Sequence, residues 1–171
     1  SDGLNNTAIG YAAGTAVALG ENGTYVGAYA GYSNTQGASA AQTDNTFIGY
    51  QAGYTTTTGI RNTAIGSGAL RTNDTGDYNI AIGPDALRQS NDGDYNAAIG
   101  YQAGYDLTDG HKNALIGYRA AQNVTTGERN IAIGADTLAT VTTGDDNIAI
   151  GTDALKSIAT NAVNTIGIGT S

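Results

Sequence analysis

Apolar residues in this 171-residue chain follow neither a helical stripe nor a long strand alternation; they come in a short phrase, Asn-Thr-Ala-Ile-Gly, that returns every 17 residues. The phrase starts at positions 6, 23, 45, 62, 79, 96, 113, 130 and 147, so every interval is 17 except the 22 residues between 23 and 45. Nine repeats with one five-residue insertion result, and a further start at Asn164 keeps the register but reads one residue out of phrase. With the repeat numbered 1 to 17, the Ile-Gly pair at positions 4 and 5 recurs as Ile48-Gly49, Ile65-Gly66, Ile82-Gly83, Ile99-Gly100, Ile116-Gly117, Ile133-Gly134 and Ile150-Gly151. Position 8 is Ala except at Thr137, and position 15 is Gly except at Asn161. Glycine and asparagine are the residues that tolerate positive φ, so positions 5 and 15 predict two turns per repeat. The insertion follows Gly37, within residues 38–44, and reads as a surface loop at a turn.

A unit this short cannot hold a helical hairpin, which excludes helical solenoids. Two short β-segments fit, one at positions 2–4 and one near 8–12, each coil lying on the next with parallel pairing. The expected fold is all-β, a parallel β-roll or β-solenoid of 17-residue coils. At ~4.8 Å per coil it would form a rod about 43 Å long. Residues 1–5 form a lead-in, 6–163 the array and 164–171 a partial repeat; with repeats running almost to both ends and no polar caps, a longer parent chain is expected. Positions 4, 8 and 9 are expected to point inward, and position 3, usually Ala but Tyr25, Phe47 and Leu115 in places, to form a second apolar face. Three small side chains per coil make a thin core against an ordering cost of ~1–2 kcal/mol per residue, so self-association through the second face is expected.

Composition narrows the function. There is no Cys, Met or Trp, one His and one Phe, while Gly numbers 26. The usual thiolate, zinc and triad chemistries lack their parts, which points away from an enzyme and leaves no expected cofactor. The net charge of −8 argues against nucleic acid. No apolar run approaches the ~18 residues of a membrane helix, so no membrane insertion by this segment is expected.

Tyrosine is the candidate recognition residue. Position 6 is Tyr11, Tyr50, Tyr101 or Tyr118, with Tyr29 displaced by one place, where position 9 is small; position 9 is Leu70, Leu87, Leu138 or Leu155 elsewhere. The expected cause is that ring and leucine fill the same space. Tyr32, Tyr54 and Tyr105 at position 10 alternate with Arg71, Arg88 and Lys156, the signature of a rim. With Ser39, Gln42 and Asp44 of the inserted loop, these tyrosines are the candidate ligand contacts. Asp85 with Arg88 and Asp153 with Lys156 read as exposed salt bridges. The position 1 asparagines predict an amide ladder, the paired turn aspartates lack a calcium-roll pattern, and His111 reads as a solvated loop residue.

The phrases Asn62-Thr-Ala-Ile-Gly66 and Asn130-Ile-Ala-Ile-Gly134 resemble the head repeats of YadA-like trimeric autotransporter adhesins. Asn45-Thr-Phe-Ile-Gly-Tyr-Gln-Ala-Gly-Tyr54 is similar to repeats in phage-type trimeric tail fibres. The resemblance spans residues 6 to about 169, and the strict 17-residue period is longer than the adhesin coils. It implies a left-handed roll, a homotrimer, an extracellular, cell-surface or virion location, and attachment to surface ligands such as glycans. A pure shaft spacer and an ice-binding solenoid are the rival readings; the second is disfavoured by a single-file Thr column at position 14, broken by Asp92 and Asp109.

Overall fold

A computed structural model describes residues 5–15, 21–33 and 43–170. It contains strands β1 (Thr7–Ile9), β2 (Thr24–Val26), β3 (Thr46–Ile48), β4 (Thr63–Ile65), β5 (Ile80–Ile82), β6 (Ala97–Ile99), β7 (Ala114–Ile116), β8 (Ile131–Ile133), β9 (Ile148–Ile150) and β10 (Ile166–Ile168). They form one ten-stranded parallel sheet in sequence order, pairing like with like: Thr46 with Thr63, Phe47 with Ala64, Ile48 with Ile65. Each strand is positions 2–4 of one repeat, and the chain between strands closes one coil of a β-solenoid.

Among the described residues only that one segment per coil is a strand. The expected second segment near positions 8–12 is a turn, because the backbone switches hand inside it. Position 7 (Gln51 at φ 54°, Asp85 at 55°) and position 9 (Leu70 at 48°, Leu87 at 46°) are left-handed in every described coil, which a strand cannot accommodate. Coil-to-coil hydrogen bonds still run through the turn: Gly53 N–H donates to the Ala69 carbonyl at 3.0 Å and Thr55 N–H to that of Arg71 at 2.9 Å. Position 5 is glycine for two reasons: φ lies between 118° and 138° from Gly10 to Gly151, and a Cβ there would overlap the glycine carbonyl of the next coil. Position 15 differs from expectation. Gly59, Gly76 and their equivalents are not left-handed; an added Cβ would collide with the next coil's carbonyl, so close approach selects them.

The faces are reversed relative to the sequence reading. Position 3 points inward: Tyr25, Phe47, Ala64, Ala81, Ala98, Leu115, Ala132 and Ala149 are fully buried. Position 4 points out, with Ile48, Ile65, Ile133 and Ile150 all 37% exposed and Ile99 and Ile116 at 39%. The parity is set by the asparagine at position 1, whose amide is turned inward; in an extended segment position 3 shares its face, and positions 2 and 4 take the other. Positions 8 and 9 are inward as expected, joined by position 12, where Leu107, Val124 and Val141 complete the core. In three adjacent coils position 12 is instead Thr56, Asn73 and Ser90, buried polar side chains.

The bulk at position 9 answers position 3, not the tyrosine at position 6. A Cβ on Gly31 would overlap the Tyr25 ring and one on Gly53 the Phe47 ring, whereas Leu70, Leu87 and Leu138 stand in coils whose position 3 is Ala64, Ala81 and Ala132. Leu115 likewise stands in a coil whose position 9 is the small Ala121, both fully buried. Gly104 and Ala98 are both small because the side chains of Leu87 and Leu115, from the coils on either side, reach into that space. The position 6 rings lie outside the coil: Tyr11 is 74% exposed, Tyr50 53%, Tyr101 41% and Tyr118 47%.

The asparagine ladder is present and does more than link amides. Asn62 Oδ1 accepts the Asn79 backbone N–H at 2.8 Å while Asn62 Nδ2 donates to the Gly76 carbonyl of its own coil at 2.8 Å. The same pair of bonds recurs at Asn45, Asn79, Asn96, Asn113 and Asn130. At the last step the register shifts. Thr165 N–H meets Asn147 Oδ1 at 3.0 Å and Ile166 pairs with Ile148, so the tenth coil starts at Thr165 rather than Asn164. Asn147 Nδ2 then finds the Ala162 carbonyl at 2.7 Å, which places Ala162, not Asn161, at position 15.

Candidate functional site

Two outward columns of aromatic and charged side chains run along the solenoid. The first is position 10. Tyr32 and Tyr54 are stacked, centroids 5.1 Å apart and planes 8° apart; the Arg71 guanidinium lies 5.3 Å from the Tyr54 ring and that of Arg88 lies 5.8 Å from the Tyr105 ring. Ring and cation share one rim, as the alternation at position 10 implies, each half-buried with its stem along the coil. The Arg71 Nε donates to Gln51 Oε1 at 3.1 Å. The expected position 7 to position 10 ion pairs form, Asp85 to Arg88 at 2.8 Å and Asp153 to Lys156 at 2.7 Å.

The second column is position 17, which the sequence reading passed over except for Asp44. Its ten residues, from Asn5 and Asn22 through Asp146 to Asn164, all have φ between 46° and 61°. Equal backbone geometry sends equal side-chain directions, and neighbours meet in an unbroken series from Asn5 to Tyr95 and again at Arg129 and Asp146. Asn22 Nδ2 donates to Asp44 Oδ1 at 3.2 Å, Asp44 pairs with Arg61 at 3.6 Å, and Arg61 donates to the Tyr78 hydroxyl. Tyr78 and Tyr95 then stack at 4.9 Å with planes 5° apart, and Arg129 holds Asp146 through Nε at 2.7 Å and Nη2 at 2.9 Å. Those two hydrogen bonds raise the Arg129 guanidinium above its ordinary value and lower the Asp146 carboxyl. The repeated Tyr-Asn dipeptides, Tyr78-Asn79 and Tyr95-Asn96, are the sequence signal that could have found this column.

Position 16 carries a third, partly buried series. Asp77 Oδ1 accepts the Ile60 N–H, Asp94 Oδ1 the Asp77 N–H, and Asp145 Oδ1 the Glu128 N–H, each at 2.8 Å. His111, read from the sequence as a solvated loop residue, belongs to this series: partly exposed on its turn, its Nδ1 accepts the Asp94 N–H at 2.9 Å. Burial pushes the Asp77 carboxyl above its ordinary value, opposed by the Ile60 N–H and reinforced by Asp94.

Near the N-terminal coils the aromatics gather. Tyr29, left-handed at φ 58°, sits amid Tyr11 (5.3 Å), Tyr32 (5.6 Å), Tyr54 (6.2 Å) and Tyr50 (6.4 Å), and desolvation there, then the neighbouring phenols, push its hydroxyl above its ordinary value. Of the six candidate ligand contacts, the structure brings Tyr32 and Tyr54 together in this cluster and sets Tyr105 farther along the same column. Asp44 lies in the position 17 column; Ser39 and Gln42 lie outside the described residues.

Among the described residues no group of three His, Asp or Glu side chains converges as a metal site would require, and no helix is long and apolar enough to cross a membrane. A shallow concavity of about 210 Å³ at the C-terminal end is lined by Ala154, Leu155, Gly167, Ile168, Gly169 and Thr170, mostly apolar, with the Thr170 hydroxyl as its one polar side-chain group. What the surface offers is a long, regular array of ring edges, guanidinium groups and carboxylates. No family model, no curated protein and no solved structure matches the chain.

Proposed function

We propose that this chain is a non-enzymatic segment of an extracellular attachment fibre, in which three parallel copies associate through the outer face of the sheet and the aromatic columns meet surface glycans. The observation that carries the reading is the isoleucine row at position 4. Burial of an exposed isoleucine stabilises by roughly 1.5–3 kcal/mol, so side chains left 37–39% exposed hold back roughly 0.5–1 kcal/mol each, several kcal/mol over the row. The best-matched partner for a row with a 17-residue rise is another copy with the same rise, side by side in register. The number three and the glycan class come from the likeness to trimeric adhesin and tail-fibre repeats, supported by exposed tyrosines and by the avidity three weak sites gain.

Light scattering on the purified chain tests this. A trimer is expected, and Ile65→Thr, Ile99→Thr and Ile133→Thr combined should give a folded monomer, since threonine already stands on this face at position 2. A monomeric parent chain refutes the assembly. A glycan array run on the trimer is expected to show binding that Tyr32→Ala with Tyr54→Ala removes; a trimer that binds no glycan is a shaft spacer, the reading that the uniformity of the coils favours.

A further inference from the structure

We infer that the stacked pair Tyr78 and Tyr95 is a site of oxidative cross-linking, where a one-electron oxidant such as a peroxide-fed haem peroxidase joins two adjacent coils through a carbon–carbon bond between the rings. Three observations lead there, and none depends on the fibre assembly.

The first is what the chain lacks. With no Cys, Met or Trp, the side chains that ordinarily take up oxidising equivalents are missing, and the eleven tyrosines become the readiest electron donors. The second is geometry. The two rings are 4.9 Å apart at 5°, the closest and most parallel of the stacked pairs, and both are open to solvent, Tyr78 37% and Tyr95 55% exposed. Their backbones cannot drift apart, because Tyr78 N–H is bonded to the Ile60 carbonyl at 3.1 Å and Tyr95 N–H to that of Asp77 at 3.0 Å, and matching φ values of 57° and 58° aim both rings the same way. Two radicals held so close react as one body, at an effective concentration far above that of separate chains in dilute solution. The third is contrast. Tyr32 and Tyr54 stack at 5.1 Å but are half-buried, and Tyr101 and Tyr118 are wider, at 5.5 Å and 15°; each pair, Tyr78 beneath Arg61 included, has a guanidinium over one ring, so spacing and exposure are what set Tyr78 and Tyr95 apart.

The chemistry balances without help from the protein. Each phenol gives up one electron and one proton to become a tyrosyl radical; the radicals couple at ring carbons beside the hydroxyls, and the two hydrogens on those carbons shift to oxygen as aromaticity returns. The two electrons and two protons lost reduce one hydrogen peroxide to two waters. The exposed rings turn about their side-chain bonds to bring those carbons into contact. The product ties positions 17 residues apart, a covalent staple for a chain that has no disulfide, acting on the unfolded state as a disulfide does.

The experiment treats the dilute purified chain with hydrogen peroxide and a haem peroxidase, then digests with trypsin, which separates residues 72–88 from 89–112. Expected are a blue tyrosine-dimer fluorescence, an intact mass lower by two hydrogens per link, and 72–88 joined to 89–112 as the most abundant linked peptide, with the link mapped to Tyr78 and Tyr95. Tyr78→Phe and Tyr95→Phe keep the stacked rings and should each abolish that link; Tyr105→Phe should leave it unchanged. Unfolding in urea before oxidation should cut its yield at least tenfold. Links found only between chains, a link that survives Tyr95→Phe, or equal yield from the urea-unfolded chain would each overturn the proposal.

Discussion

A phenylalanine and a missing side chain explain each other in the third coil. Phe47 is fully buried and its ring occupies the space a Cβ on Gly53 would need, while the next coil reaches the same density with Ala64 and Leu70. Phe47→Ala should therefore cost about 3–5 kcal/mol as a cavity, and Gly53→Leu alone should also destabilise. The double variant reproduces the arrangement of the fourth coil, where Leu70 accepts φ 48°, and should recover most of the loss. A thermal or urea double-mutant cycle reads this directly, and purely additive losses would show that the two sites do not share space. Asp77 makes a second residue-scale case. Its carboxyl titrates above its ordinary value because of burial, so the folded chain holds a proton that the unfolded chain has released. Stability from this group is present at low pH and is lost as pH rises through the folded value. Asp77→Asn keeps an acceptor for the Ile60 N–H and should flatten that part of the stability profile measured by urea unfolding across the carboxylate range.

One coil is the element of this fold, and its strongest polar tie is the asparagine at position 1. Asn113 accepts the Asn130 N–H at 2.9 Å and donates to the Gly127 carbonyl at 2.8 Å, and all three residues are buried. Asn113→Ala leaves a donor and an acceptor unpaired and should cost roughly 2–5 kcal/mol, while Asn113→Asp, which sets a buried carboxylate oxygen against the Gly127 carbonyl and Asn96 Oδ1, should cost at least as much at neutral pH; chemical denaturation measures both. The ladder and the strand at positions 2–4 are legible because the same residue types recur there in nearly every coil. The faces were harder. Ile at position 4 is the most apolar residue of the phrase, and hydrophobicity alone sends it inward, but the buried asparagine two residues before position 3 fixes the parity instead. In coil two the same logic appears in reverse: Gly23 replaces the asparagine because the Tyr25 ring lies where its side chain would be, and Gly23 N–H still bonds Asn6 Oδ1 at 2.7 Å. The second segment near positions 8–12 was misread for a different reason, since left-handed leucines such as Leu87 at φ 46° leave no mark in composition.

For the molecule as a whole, the 17-residue translation matters more than any single coil. Deleting residues 79–95 joins Tyr78 to Asn96 with every position in phase, and should leave a cooperatively melting solenoid one coil shorter. Deleting one residue fewer puts position 3 of every later coil out of phase with the coils before it and should abolish the cooperative melt followed by circular dichroism. The architecture was legible because periodicity survives every local substitution. The surface was legible only in part: the position 10 alternation marked a rim, whereas the position 17 column mixes Asn, Asp, Arg, Tyr and Lys and is unified by a backbone angle that no residue type announces. Because the inter-coil hydrogen bonds run between adjacent coils, a terminal coil is held by one neighbour only, and tension applied between the ends peels the coils off from a terminus. The chain would then pay out like yarn from a spool, each coil yielding about 55 Å of slack. A thread built this way lengthens under a pull before it lets go.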